Sequence, residues 1–493
     1  MIDLSRSARA GMLADMVREP LDVLVVGGGI TGAGIAHDAA LRGLRVGLVE
    51  QDDFACGTSS RSSKMIHGGL RYLATGDVGL VRESLRERRS LQERAPHLVH
   101  PLPMLLPIHH VRDRVKYGCG LWAYDMLGAW RAGMRHRWVG RRGVSAIMSN
   151  MEPRGLRGGL LYQDAAADDA RLVMTVLRSA VQCGARIVNG ARVDSLLETG
   201  GRVTGAIISS DVADGGTVEV HARVVINAAG VWADQLYANI DTDPGFSLLP
   251  SKGIHLTIRR EHVGVSAGVA FFPQTGRNIF IEPWDDDLAI VGTSDEPFDG
   301  DIADPPSLPE EVERLLGDVN PFLRVPLAVS DVISAWAGVR PLVIDAGHDT
   351  PATGSKDVSR NHRTVVTPGL VTMVGGKLTA YRQMAEDAVD AAIREGGGVA
   401  APCRTMTTPL DGAPHAGVAA CERELVESMD IDASFAKHLV RRYGSNAKVL
   451  ASMCREHPEL LEPLHPERPY RAVEAVYAIQ HEICLLYTSP SPR

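Results

Sequence analysis

The sequence predicts an α/β fold, and three features near its start carry that prediction. Residues 21–26 (LDVLVV) form a nearly continuous apolar run, which is typical of a parallel strand buried on both faces. Three consecutive glycines end this run, and the helical apolar pattern that begins at Ile30 closes at Gly43. Residues 45–49 then have the pattern of a second strand, which Glu50 follows. Strand, turn, helix and strand in this order predict a Rossmann-like unit.

The glycines of this turn have the spacing G-x-G-x-x-G, at Gly27, Gly29 and Gly32. Such glycines permit a tight turn, let a pyrophosphate approach the backbone, and let helix and strand pack closely. A helix N-terminus also favours negative charge, so we expect a dinucleotide there, with Glu50 accepting hydrogen bonds from the adenosine ribose. The position of the motif at the start of the chain favours FAD over NAD. The alternative is a glycine-rich turn in an ordinary α/β domain.

Composition argues against a nucleic-acid-binding, disulfide-rich or membrane-spanning protein. The chain has 493 residues, enough for two or three domains, and a formal net charge of −8, which argues against nucleic-acid binding. Its seven cysteines are scattered without C-x-x-C pairs, so we predict neither a disulfide framework nor a metal site. No uncharged apolar run is long enough to cross a bilayer, so we expect any membrane contact to be peripheral.

Two further segments have more than one interpretation. Residues 51–75 are dense in Gly, Ser and Thr with interspersed cations, which suits an anionic ligand or a flavin, or else a solvated linker. Residues 111–142 have a helical pattern rich in Arg and Trp. That composition favours either an anionic membrane surface or a surface helix whose aromatic side chains pack inward.

The remaining chain alternates between the two types of pattern. Residues 159–169 predict a strand leading into a helix capped by Asp168 or Asp169, and residues 218–227 predict a buried strand before a small-residue turn. Residues 245–345 are mostly β-patterned, as in an antiparallel sheet. A strand over 364–374 then precedes a Gly-Gly-Lys turn and a helix from Leu378.

Taken together, these segments resemble the FAD-dependent glycerol-3-phosphate dehydrogenases, in the wider group of flavoproteins similar to D-amino-acid oxidase. The blocks that carry the resemblance occur in the family's order and span most of the chain. They are VVGGGITGAGIAHDAALRG (25–43), TSSRSSKMIHGGLRYL (58–73), DDARLV (168–173), NAAGVWAD (227–234), SKGIHL (251–256), GTSD (292–295), AGVRPL (337–342), SRNH (359–362) and GGKLTAYRQMAE (375–386).

The resemblance implies a discontinuous Rossmann-like FAD-binding domain over 18–95, 160–245 and 350–400. A substrate domain with a mixed or antiparallel sheet would occupy 96–159 and 246–349, and a helical C-terminal domain 401–484. The family's last domain normally continues beyond this point, so we expect that the chain is truncated and that residues 485–493 are an artefactual tail.

It also implies the reaction: oxidation of sn-glycerol 3-phosphate to dihydroxyacetone phosphate, by hydride transfer from C2 to N5 of FAD. We expect His255 to be the general base, because the ordinary pKa of histidine suits that role. Arg340 and Lys377 would act with it, and cations would bind the phosphate. The predicted substrate-binding residues are Arg71, Tyr72, His255, Arg340, Arg360 and Lys377. The predicted FAD-binding residues are Gly27, Gly29, Ile30, Thr31, Gly32, Glu50, Gln51, Thr58, Ser59, Ser60, Ser63, Lys64, His67, Gly68, Gly69, Ala229, Gly230, Gly375, Gly376, Lys377, Leu378 and Thr379.

Partners and location follow from the same resemblance. It implies that electrons pass to ubiquinone or menaquinone, in a homodimeric enzyme that contacts the cytoplasmic face of the cell membrane peripherally. An oxidase that passes electrons to O₂ is the alternative within the family. A non-redox flavoprotein, structural or tRNA-modifying, is the alternative from another class, which the acidic net charge and the cluster of cations disfavour.

Overall fold

The computed structural model describes residues 4–73, 76–128, 135–212, 216–273, 278–285, 287–345, 361–429 and 431–482. In these residues no helix combines the length and apolarity that crossing a bilayer requires. The α-helices are α1 Arg6–Arg18, α2 Ile30–Leu41, α3 Leu70–Leu73, α4 Val78–Arg94, α5 Val111–Gly128, α6 Arg141–Ile147, α7 Asp169–Gln182, α8 Arg260–Val263, α9 Pro309–Val319, α10 Tyr381–Gly396, α11 Val418–Met429, α12 Ala433–Tyr443, α13 Ala447–Glu456 and α14 Ala472–His481. The strands are β1 Leu21–Val26, β2 Val46–Val49, β3 Met65–Ile66, β4 His100–Ile108, β5 Arg137–Gly140, β6 Gly158–Ala166, β7 Arg186–Val188, β8 Ala191–Thr199, β9 Arg202–Ser210, β10 Thr217–Asn227, β11 Phe246–Arg259, β12 Gly268–Phe271, β13 Ile279–Trp284, β14 Leu288–Gly292, β15 Glu296–Pro297, β16 Val332–Asp345, β17 His362–Thr367 and β18 Leu370–Gly375.

The first sheet has the order β17-β18-β10-β1-β2-β7, with β8 and β9 joined to it through β10. Strands β18, β10, β1, β2 and β7 are parallel, and β17 closes the sheet as an antiparallel edge. Helices α2, α7 and α10 contribute their apolar residues to the core on one face. Burial on both sides explains why β1 lacks the alternation of polar and apolar residues. The predicted α/β fold is confirmed.

The second sheet has the order β15-β11-β14-β13-β12-β4-β6-β3, and β16 and β5 pair with its strands. Most neighbours are antiparallel, whereas β12 and β4 are parallel, so the sheet is mixed. Strand β3 and residues 160–166 of β6 fall inside the segments expected to bind FAD, and both strands pair in this second sheet. Each face of this sheet covers its own apolar core, and α9 packs on one of them.

Helices α11 to α14 form a separate apolar cluster after residue 418. Two buried ion pairs join residues on either side of these helices to α7: Arg178 Nε lies 2.6 Å from Asp411 Oδ2, and Arg171 donates to both oxygens of Glu482. Residues 485–493, expected to be a tail, lie outside the described residues.

Three local predictions differ from the structure. The helix expected over 111–142 ends at Gly128 among the described residues, and Trp138 lies in β5 instead. The single strand expected over 364–374 is the hairpin of β17 and β18, because Gly369 takes a φ of +75° that allows the chain to turn. Helix α9 interrupts the β-patterned region, and Pro309 is its first residue, where the missing N–H costs nothing.

Candidate active site

A cleft of about 380 Å³ opens where the carboxyl ends of the parallel strands of the first sheet meet. Val26, Val49 and Gly375 lie at the ends of their strands, and Ala228 follows β10. In open α/β sheets this edge is where ligands bind. Most of the residues expected to bind FAD line this cleft. They are Gly27, Gly29, Ile30, Thr31, Glu50, Gln51, Thr58, Ser59, Ala229, Gly230, Gly375, Gly376, Lys377 and Leu378.

Two positions of the glycine turn, Gly27 and Gly32, cannot accommodate a side chain. A Cβ on Gly32 would lie 1.8 Å from the carbonyl oxygen of Gly27, so helix α2 can pack against the turn only through a glycine. Gly27 has a φ of +111°, and a Cβ there would lie 2.6 Å from the carbonyl oxygen of Ala228. The bare backbone therefore meets the cleft together with the first-turn amides of α2, which suits the pyrophosphate of FAD.

Glu50 lies beside this turn and is 9% exposed. Its carboxylate accepts hydrogen bonds from the backbone N–H of Gly28 at 2.6 Å and of Asp52 at 3.0 Å. Burial raises the pKa of Glu50. Ser59 Oγ accepts from the N–H of Ile30 at 2.9 Å, so the loop after β2 caps α2 from across the cleft. The residues at this end therefore fit an adenine dinucleotide.

His255 lies on β11 of the second sheet, opposite Trp336 of β16 in the register of the two strands. The two rings stack with centroids 5.2 Å apart and planes 15° apart. Ser63 Oγ lies 2.8 Å from His255 Nε2, while Nδ1 is buried with no hydrogen-bond partner among the described residues. The Ser63 hydroxyl and the face of the Trp336 indole thus hold the imidazole, and Nδ1 is the nitrogen that has no partner among the described residues.

The environment of His255 changes its acidity. The side chain is buried, and desolvation together with the positive charges of Arg340 and Lys64 lowers the pKa of His255 to about 3. The expectation that His255 keeps a pKa near neutrality is therefore wrong for this site. The imidazole is therefore neutral at physiological pH, and it is a weaker base than an ordinary histidine.

Arg340 lies four residues after Trp336, on the same face of β16. Its Nη2 donates to Thr293 Oγ1 at 2.9 Å and to the carbonyl of Ser294 at 3.2 Å, and Nη1 lies 3.5 Å from Asp295 Oδ1. These contacts fix the guanidinium beside β11.

Lys377 follows the Gly375-Gly376 turn at the end of β18, and it lines the cleft. Its Nζ lies 3.7 Å from the centre of the Tyr72 ring, close enough for a cation–π interaction. The structure therefore brings the predicted residues Lys377 and Tyr72 together, although they are three hundred residues apart in sequence.

Other predicted site residues lie beside the cleft rather than in its lining. Ser63 contacts His255, and Lys64 contacts Asp169. The N–H of Gly68 donates to Asp164 Oδ1 at 3.0 Å. The carbonyl of His67 accepts from Thr379 Oγ1 at 3.3 Å. Ser60 Oγ is buried without a partner in the described part of the chain, Gly69 abuts the Tyr72 ring, and Gly32 packs under the turn. Arg71 lies in α3 with its side chain outside the description, and Arg360 is outside the described residues.

The cleft is also lined by residues that were not among the predicted FAD-binding residues. Val193, Ser195 and Leu196 of β8 line it, as do Trp232 after β10 and Met384 of α10. Trp232 lies within the NAAGVWAD block, so that block gave a usable signal. The alternating pattern of β8 gave no such signal, because which of its residues reach the cleft depends on how β8 pairs with β9.

Comparison with known proteins agrees with this geometry. Residues 22–382 match the family described as FAD dependent oxidoreductase, and residues 403–488 match the C-terminal domain of alpha-glycerophosphate oxidase. The chain belongs to the FAD-dependent oxidoreductase family, and FAD is its cofactor.

Its relatives place it among the glycerol-3-phosphate dehydrogenases of that family. Glycerol-3-phosphate dehydrogenase 2 of Mycobacterium tuberculosis is 39% identical over 469 residues, which is 94% of this chain and 79% of the relative. Glycerol-3-phosphate dehydrogenase 1 of the same species is 41% identical over 496 residues, which is 97% and 91% of the two chains.

Solved structures show the same fold. The glycerol-3-phosphate dehydrogenase of Bacillus halodurans, complexed with FAD, is 31% identical, with a TM-score of 0.78 over 97% of this chain and 86% of its own. The L-alpha-glycerophosphate oxidase of Mycoplasma pneumoniae covers 79% of this chain and 98% of its own with a TM-score of 0.61. At 18% identity it shows the fold alone.

Proposed function

We propose that this protein oxidises sn-glycerol 3-phosphate to dihydroxyacetone phosphate. The observation that carries the proposal is that His255 and Arg340 lie on one face of two paired strands, close enough for the charge of Arg340 to act on the imidazole. Lys377, the third predicted catalytic residue, lines the FAD cleft. Relatives at 39–41% identity are named glycerol-3-phosphate dehydrogenases, which supports the choice of substrate.

Phosphate binding falls to Arg340 in this proposal, with Arg71 and Arg360 as further cations and Tyr72 beside Lys377. A guanidinium presents paired donors that match two phosphate oxygens. Thr293 and Ser294 already hold Arg340 in place, so binding does not require ordering a free side chain.

Proton transfer falls to His255. As the C2–H bond breaks, the C2 hydroxyl loses its proton, and we assign that proton to Nδ1, the nitrogen without a partner among the described residues. FAD, when bound, supplies the two-electron acceptor that takes the hydrogen of C2 as hydride at N5. Lys377 holds positive charge next to the cleft, where it can bind the substrate oxygen or stabilise negative charge.

We further propose that the electrons pass to a membrane quinone, from a protein bound peripherally to the cytoplasmic face of the membrane. Helix α5 supports this, because its exposed surface carries apolar side chains together with basic ones in the first two turns. The exposed apolar residues are Val111, Val115, Trp122 and Met126, and Arg112, Arg114 and Lys116 lie among them. Such a surface suits an anionic bilayer.

The test is anaerobic mixing of the purified protein with sn-glycerol 3-phosphate while the flavin absorbance near ~450 nm is followed. Bleaching by glycerol 3-phosphate, with none by glycerol, supports the proposal, and a yellow protein that stays oxidised contradicts it. Reoxidation by a short-chain quinone, compared with hydrogen peroxide formed in air, separates a dehydrogenase from an oxidase.

A further inference from the structure

The loop that presents Ser63 to His255 crosses the face of the second sheet. Thr58 Oγ1 donates to the carbonyl of Val339 at 2.6 Å, and the carbonyl of Arg61 passes so close to Gly338 that a Cβ there would lie 2.6 Å away. Ser63 then reaches His255 Nε2 at 2.8 Å. The contact with the imidazole therefore depends on where this short segment is held.

One carboxylate holds it. Asp169, in the first turn of α7, is fully buried and accepts from the Ser62 N–H at 3.1 Å, from Ser62 Oγ at 2.7 Å and from Lys64 Nζ at 2.6 Å. These bonds fasten the residues on both sides of Ser63. Asp169 lies in the DDARLV block, to which no catalytic or binding role has been given so far.

Two more hydrogen bonds hold the loop, one within it and one to the segment before α7. The N–H of Lys64 donates to Ser62 Oγ at 2.9 Å, and the carbonyl of Lys64 accepts from the N–H of Ala167 at 2.9 Å. Lys64 has a φ of +57°, a left-handed conformation that a residue other than glycine adopts only at a cost. The three bonds to Asp169 offset that cost, so Ser63 is held in a conformation that the free loop would not favour.

We propose that Asp169 is a positioning residue for the reaction: through Ser62 and Lys64 it holds Ser63 against His255, and so fixes the orientation and tautomer of the imidazole. The expected loss of kcat rests on the proposed function, whereas the expected release of the loop does not. Asp169 does not touch the cleft itself; it acts through the loop.

The charged groups around this path belong to several elements. Lys64 of the loop and Arg340 of β16 act on His255, while Asp168, Asp169 and Arg442 act on Lys64. Arg442 of α12 also contacts Asp168 Oδ2 at 3.2 Å, so the C-terminal helices adjoin the same pair of aspartates. Loss of Asp169 leaves Lys64 with less negative charge nearby, which makes the imidazolium less favourable still.

The experiment compares Asp169→Asn, Ser63→Ala, the double variant and Asp411→Asn. Asp411 is the matched control, because it is also buried and ion-paired to α7, through Arg178, but has no contact with the loop. We expect Asp169→Asn and Ser63→Ala each to lower kcat by about 10- to 100-fold with KM changed less than about threefold, as for a displaced catalytic group. The double variant should be no slower than the slower single variant.

The second readout is hydrogen–deuterium exchange of the backbone in a peptide covering residues 61–67, measured without substrate. We expect faster exchange in Asp169→Asn and unchanged exchange in Asp411→Asn. Ser62→Ala removes one hydroxyl and leaves no unpaired charge, so it should show a smaller rise in exchange and a smaller loss of kcat. This variant replaces Asp169→Asn in the experiment if Asp169→Asn does not fold.

Each outcome decides one of the two proposals. Unchanged exchange and unchanged kcat in Asp169→Asn or Ser62→Ala would overturn the positioning role, as would multiplicative effects in the double variant or an equal kcat loss in Asp411→Asn. If the unmodified protein is not bleached by glycerol 3-phosphate while exchange still rises in Asp169→Asn, the positioning role stands and the proposed function fails.

Discussion

The nucleotide end of the cleft and its reaction end are built in different ways. The nucleotide end is mostly backbone: a glycine turn, the first turn of α2 and Glu50, all within thirty residues of the chain. The reaction end consists of side chains: His255 of β11 stacks on Trp336 of β16, Arg340 follows on the same face of β16, and Lys377 lines the cleft after β18.

This difference teaches what each end tolerates. Where backbone packs on backbone, as between Gly32 and Gly27, any side chain displaces the main chain, so the fold and the cofactor are lost together. Where side chains act on a preformed sheet, a substitution can remove chemistry and leave the fold. Four predictions test this contrast, from the largest expected effect to the smallest.

Gly32→Ala should abolish FAD binding. The new Cβ would lie 1.8 Å from the Gly27 carbonyl oxygen, and backbone on both sides must move to make room. We expect a colourless protein with a lowered Tm, measured by flavin absorbance and thermal unfolding. Gly118→Ala, in α5 with no atom near the added Cβ, is the control and should stay yellow. A yellow Gly32→Ala protein would break the comparison.

His255→Gln should keep FAD but lower kcat by about 10²- to 10⁴-fold, the usual contribution of a general base. Stopped-flow reduction of the flavin measures the step, and the visible spectrum checks that the cofactor is retained. Loss of flavin from this variant would show that the two ends are not separable.

Arg340→Gln should raise KM for glycerol 3-phosphate by about 10- to 100-fold, because a charged hydrogen bond contributes about 1.5–3 kcal/mol. Flavin content should not change. Arg314→Gln removes a surface ion pair with Glu296 and serves as the matched control, for which we expect an unchanged KM. Equal effects on KM from both variants would contradict a specific phosphate contact.

The smallest effect concerns stability in acid. Because the pKa of His255 is lowered from 6.5 to about 3, the unfolded chain binds this proton more readily than the folded one. The histidine therefore costs no stability above about pH 6.5 and destabilises the fold progressively as pH falls toward 3. At pH 5 the cost is about 2 kcal/mol.

His255→Gln should remove that cost. Relative to the unmodified protein, the variant should gain about 2 kcal/mol in the free energy of unfolding on going from pH 7.5 to pH 5, as measured by urea denaturation. The same substitution at the exposed His415 controls for the loss of an imidazole elsewhere. A relative stability of His255→Gln that does not change with pH would show that this imidazole is not buried in solution.

Much of the nucleotide end could be predicted from sequence, because its determinants are local. The spacing of Gly27, Gly29 and Gly32 between a buried strand and a helix predicts the turn, and the structure shows why Gly27 and Gly32 must be glycine. Asp168 likewise caps α7 as expected, since a cap depends only on the next few residues. The contribution of β8 to the cleft could not be predicted, because strand register is a long-range property.

The amino-acid sequence by itself determined the α/β fold, the family and the cofactor FAD, since these depend on short-range patterns and contiguous motifs. Only the tertiary structure decided the state of His255: its burial, its stacking on Trp336, its bond to Ser63 and its lowered pKa. The physical reason is that desolvation and electrostatic fields come from all neighbours in space, whatever their distance along the chain. The same reason hid Asp169, whose carboxylate acts on a loop more than a hundred residues away.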